Sequence, residues 1–144
     1  MTFQENLQDL LDEKEMNIKR LAKQVGIQDS LLYKYASNKS IPTVDNLIKL
    51  ANYFDCSLNY LIGIDDEPKS YKFKETYNKD LFFKRYNQLL QENHLTNHAL
   101  SKKLDFSPSD LKHWKEGTIP YLETIIKLAD YFGVSIDYLV GRED

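Results

Sequence analysis

The sequence is short of cysteine, of glycine clusters, of long apolar runs and of positive charge. Its one cysteine, Cys56, excludes an intramolecular disulfide framework, and no CxxC or paired Cys/His spacing forms a zinc pattern. Five scattered glycines make no phosphate-cradling loop, and neither a nucleophile motif nor paired carboxylates at a cleft appear, so no enzyme is expected. No apolar stretch approaches the roughly 20 residues of a membrane helix. The N-terminal MTFQENLQDL is acidic and lacks the basic-then-apolar pattern of an export signal, so the expected location is cytoplasmic. The net charge of −3 weighs against nucleic acid as a partner, although a local basic face can coexist with acidic far sides.

What is present is a repeat. Residues 48–63, IKLANYFDCSLNYLIG, return as residues 126–141, IKLADYFGVSIDYLVG, at an offset of 78. Upstream the offset is 79: Met16-Asn17 answers Leu95-Thr96, and Leu21-Ala22-Lys23 answers Leu100-Ser101-Lys102. One residue is therefore missing from the second copy near Gly117-Thr118. A period this long is the size of a small domain and not of a solenoid repeat. The expected organisation is a first domain at 1–66, a linker at 67–79 and a second domain at 80–144. These segments carry seven Lys/Arg against ten Asp/Glu, four against two, and eight against ten.

Each copy reads as five short helices. In the first, Phe3, Leu7, Leu10 and Leu11 line one face of a helix ending near Glu15. Asn17 caps a second helix, Ile18–Val25, which Gly26 ends. A third runs Asp29–Ala36 behind the weaker cap Gln28. Thr43 caps Val44–Phe54, and Ser57 caps a fifth helix through Ile62. The second copy predicts Asp80–Glu92, Asn97–Leu104 behind Thr96, a third helix capped by Ser107 with Pro108 at its first position, Leu122–Phe132, and Ile136–Val140 behind Ser135. Tyr35 and Trp114 occupy matching positions and are expected in the core, as is Cys56. His94, His98 and His113 have no metal-ligand geometry. The linker alternates aromatic and basic residues, Tyr71-Lys72-Phe73-Lys74, and is read as solvated or as a basic strap.

Helix, Gly-apolar turn, helix, then an Asn/Gly-Lys loop and a proline is the helix-turn-helix plan. LAKQVGIQDSLLYKYASNKSIPTVDNLIKLANYF (21–54) and LSKKLDFSPSDLKHWKEGTIPYLETIIKLADYF (100–132) resemble the XRE/Cro-CI repressor family, as do the YLIG and YLVGRED endings. The resemblance implies an all-α fold: two tandem five-helix, lambda-repressor-like domains. It implies base reading from the start of the third helix and from a position one turn later. Those positions are Asp29, Ser30 and Lys34 beside Tyr33, then Pro108, Ser109 and His113 beside Lys112. It places phosphate contacts in the loop that follows, at Ser37, Asn38 and Lys39, then at Lys115, Gly117 and Thr118. A phosphate brace at the start of the second helix falls to Asn97, where the first copy has Ile18. Arg85 in the first helix faces Asn6 in the alignment and is expected on the DNA side. With Ser107 at the helix start, these residues make the second copy the expected stronger DNA binder.

The implied function is a sequence-specific, DNA-binding transcriptional regulator, most simply a repressor, with double-stranded DNA as partner. It requires no cofactor or metal, and no further domain for sensing a small molecule is evident. A linker reach of up to about 55 Å exceeds the ~34 Å between successive major grooves, so the tandem copies can act as a built-in pair. A homodimer through the fifth helices, at Tyr60 or Tyr138, is the other arrangement. From a different class, acidic charge, Asp29, Ile18 and Pro108 fit a protein-binding module, an antirepressor or inhibitor built on the same scaffold.

Overall fold

The structure, a computed structural model, describes residues 1–68 and 79–144, without the side chain of Lys79. The linker expectations for Tyr71, Lys72, Phe73 and Lys74 lie outside the described residues. The chain divides into two compact units, Met1–Phe73 and Lys74–Asp144. All regular structure among the described residues is helical, and no helix there is long and apolar enough to cross a membrane.

In the first unit α1 spans Phe3–Glu13, α2 Ile18–Val25, α3 Asp29–Ala36, α4 Val44–Phe54 and α5 Leu58–Leu61. The starts are fixed by side chains that take the orphan N–H groups of the first turn. Asn17, Thr43 and Ser57 accept from the N–H of Arg20, Asn46 and Tyr60. Thr2, which the periodicity did not single out, forms a reciprocal capping box with Glu5. Gln28 makes no side-chain cap. Gly26 ends α2 at φ 71°, a left-handed geometry that favours glycine, and the second unit meets the same requirement with Asp105 at φ 59°. Leu7, Leu21, Leu32, Leu47, Leu58 and Leu61 are fully buried, so one aliphatic core joins all five helices.

The second unit repeats the order with α6 Lys79–Glu92, α7 Asn97–Leu104, α8 Asp110–Lys115, α9 Leu122–Phe132 and α10 Ile136–Leu139. Its core is more aromatic. Trp114 meets Phe82, Tyr86 and Phe106 with ring centroids 5.6, 5.3 and 5.3 Å apart. Tyr35 and Cys56 are each 1% exposed, in line with the core assignment.

The third helix of this unit departs from expectation. It starts at Asp110, not behind a Ser107 cap with Pro108 inside it. The N–H groups of Asp110 and Leu111 donate to the carbonyls of Ser107 and Pro108, so 107–111 is a tight turn with i to i+3 bonding. The Ser107 hydroxyl, 2.7 Å from that of Ser109, pairs with it and takes no helix N–H. The fourth helix loses its cap too: Tyr121 stands where Thr43 does and makes no side-chain bond.

Candidate nucleic-acid interface

In each unit the second and third helices are joined by a short turn on the core. Buried Leu21, Ile27, Leu32 and Tyr35 hold one face of this pair. The opposite face is solvent. Asp29, Ser30, Tyr33, Lys34, Asn38 and Lys39 are all exposed, Tyr33 by 49% despite its aromatic ring. In the second unit Ser107, Ser109, Lys112, His113, Lys115 and Thr118 are exposed likewise. The first set occupies α3 and the loop after it; the second occupies α8, the loop after it and, through Ser107 and Ser109, the turn before it. The Asp29 carboxylate accepts from the Ser30 N–H at 2.8 Å, which directs one of its oxygens to its own helix start.

One sequence-derived candidate, Arg85, is engaged elsewhere, and a second, Asn97, is tied to the core by one atom. The Arg85 guanidinium donates to the carbonyls of Tyr138 and Glu143, the latter at 2.7 Å, and stacks 4.2 Å from the Tyr138 ring centroid. Its side chain is only 11% exposed. Arg85 thus closes the C-terminal end of α10. Asn6 does the same job in the first unit, donating to the Tyr60 carbonyl at 2.9 Å. The signal was present in the sequence. Asn6 stands three residues after Phe3 and one before Leu7, and Arg85 stands likewise to Phe82 and Tyr86, so both fall inside the apolar stripe. Asn97, expected to brace a phosphate, accepts through Oδ1 from the Tyr86 hydroxyl, a bond that orients the amide and uses its acceptor but not the Nδ2 donors a phosphate would need. Burial raises the Tyr86 phenol above its ordinary pKa, which keeps it a protonated donor. Leu7 and Ile18 fill the matching positions, so an apolar pair was exchanged for a hydrogen-bonded one.

The loop after the third helix carries a backbone device in both units. Lys39 N–H donates to the Lys34 carbonyl at 2.8 Å, and Thr118 N–H to the His113 carbonyl at 2.9 Å. The residue between is left-handed: Asn38 at φ 59° and Gly117 at φ 98°. Thr118 therefore matches Lys39, and the missing residue falls after it, at the counterpart of Ser40. Asn38→Gly should leave stability unchanged or slightly raised, whereas Asn38→Ala should cost about 1 kcal/mol in a urea melt of the full chain. Any loss of DNA affinity in Asn38→Gly then belongs to the missing amide and not to the fold.

Sequence reading also passed over Lys19, Arg20 and Lys23, exposed on α2. With Lys34 and Lys39 they give the segment 17–41 five cations against the single acid Asp29. Segment 96–119 has four, Lys102, Lys103, Lys112 and Lys115, against Asp105, Asp110 and Glu116. Lys103 lies over the Tyr131 ring, 5.1 Å from its centroid. Among the described residues no group of three or more His, Cys, Asp or Glu is placed to hold a metal ion.

Comparison with known proteins agrees with this geometry. Residues 7–61 match a helix-turn-helix family model, and residues 84–144 match a second, described as a helix-turn-helix domain. A relative in Bacillus subtilis (strain 168), the uncharacterized HTH-type transcriptional regulator YobD, is 30% identical over 64 residues, which cover 44% of this chain and 57% of the relative. The match thus spans little over half of that protein's length. No solved structure gives a significant match. With a family model on each half and, among the described residues, five helices in the same order in each unit, the chain belongs to the XRE-type helix-turn-helix family and carries its domain twice in tandem.

Proposed function

We propose that the chain is a sequence-specific regulator of transcription, a repressor in its simplest form, that binds double-stranded DNA by inserting α3 and α8 into the major groove. The observation that carries this reading is the exposed polar and cationic face on α3, α8 and their following loops, on a scaffold whose other face is core. Family membership and the relative's designation as a transcriptional regulator support it. In this reading Ser30, Tyr33, Ser109 and His113 meet base edges, while Lys34 and Lys112 reach the flanking phosphates. Asn38, Lys39, Lys115 and Thr118 meet phosphates, which position the domain without reading sequence.

Salt dependence on a selected duplex tests it. If Lys34, Lys39, Lys112 and Lys115 each neutralise one phosphate, the log–log slope of affinity against salt is about −3.6, and affinity falls roughly a hundredfold between 50 and 200 mM. A flat response, or no binding to any duplex in a random pool, rejects the DNA reading. It would favour a protein-binding scaffold, for which exposed Ile41 and Tyr121, 77% and 78% accessible, are the first contact candidates.

A further inference from the structure

The two domains are variants of one scaffold, so matched positions can be compared directly. In the first, Asn46 Nδ2 donates to the Tyr35 hydroxyl at 3.0 Å, tying the end of α3 to the start of α4. At the matching positions the second has Trp114 and Thr124, and its loop lacks the counterpart of Ser40. There a cavity of about 260 Å³ lies between α8 and α9, lined by Trp114, Thr124, Ile119, Pro120, Asp110 and Tyr121. His113 and Thr118 also border it. No hydrogen bond from the Trp114 indole N–H forms among the described residues, and no fully buried side-chain nitrogen or oxygen there lacks a partner. That N–H is therefore open to accessible space, although Trp114 as a whole is 3% exposed.

We infer that this cavity binds a small neutral ring carrying both a carbonyl acceptor and an N–H donor, the chemistry of a lactam-type heterocycle. Its volume lies below the roughly 300–1,000 Å³ of drug-sized sites, which limits the ligand to one ring or a small bicycle. Trp114, Ile119 and Pro120 offer apolar surface to the ring. The indole N–H and the Thr118 and Thr124 hydroxyls are donors for the carbonyl, and the Asp110 carboxylate accepts from the ligand N–H. The same carboxylate disfavours an anion. The site borders the surface proposed for DNA, but its test uses no DNA and stands whether or not the chain binds it.

Uracil is the probe and benzoate the anionic control. Trp114 is the chain's only tryptophan, so its proton–nitrogen indole resonance in the full-length protein is a single peak at the cavity. Uracil should shift it saturably, with a midpoint of about 1 mM, the scale for so few ligand atoms. Benzoate should not. Thr124→Asn, which installs the first domain's residue, should weaken uracil at least about tenfold. A serine inserted between Thr118 and Ile119, restoring the first domain's loop length, should do the same if Thr124→Asn does not fold. A peak unmoved by about 20 mM uracil, far above that midpoint, overturns the inference. So does an equal response to benzoate, or undiminished uracil binding in the folded variants.

Discussion

Replacing Arg142 with alanine is expected to destabilise the second domain by about 3–5 kcal/mol, the usual cost of removing one member of a buried ion pair. Arg142 and Asp137 are each only 1% exposed, and their side chains form a salt bridge. The Arg142 N–H also donates to the Asp137 carbonyl at 2.8 Å, so the chain after α10 folds back over the pair. Deleting the guanidinium leaves a carboxylate in the interior without its counter-charge. A domain of this size has only about 3–10 kcal/mol in total, so the variant should sit near its unfolding threshold. The first domain has uncharged residues here: buried Asn59 and exposed Ile64 stand where Asp137 and Arg142 do, and replacing both members of a buried pair removes the uncompensated charge. The double variant Asp137→Asn/Arg142→Ile should therefore recover most of the loss. Urea unfolding of the full chain followed by Trp114 fluorescence reads this domain selectively. A midpoint for Arg142→Ala within error of the parent would refute the prediction, as would a double variant no better than the single.

Lys34→Ala/Lys39→Ala is expected to weaken DNA binding more than Lys112→Ala/Lys115→Ala. Counting Arg85 and Asn97 on the DNA face ranks the second domain higher. With Arg85 closing α10, that ranking loses its strongest cation. What remains on the two helix-turn-helix segments is five cations against one acid in the first domain and four against three in the second. Lys112 and Lys115 share α8 and its end with Asp110 and Glu116, which offset their attraction for phosphate. Removing two true phosphate contacts makes the log–log salt slope shallower by about 1.8. The first-domain pair should approach that value and lose at least about tenfold in affinity at low salt, while the second-domain pair falls short of both. A larger loss from Lys112→Ala/Lys115→Ala would restore the original ranking.

The sequence by itself determined the helices and the duplication. Caps at Asn17, Thr43, Ser57, Thr96 and Ser135 act on the backbone within three residues, so they are legible locally, and the starts of Ile18–Val25 and Val44–Phe54 follow from them. Core positions such as Leu21, Leu47 and Tyr35 follow from helical periodicity in the same way. The tertiary structure decided where the polar side chains go. Arg85 falls in the apolar stripe of its helix, but its partners, the carbonyls of Tyr138 and Glu143, lie 53 and 58 residues away and only the fold brings them beside it. Arg142 reads as a tail charge until Asp137 meets it in the interior. Ser107 reads as a cap until the turn through Pro108 brings Ser109 against it. A long or polar side chain has partners within reach in many directions, and only the packing of distant segments selects one. An apolar residue needs only a face, and the helical period supplies that.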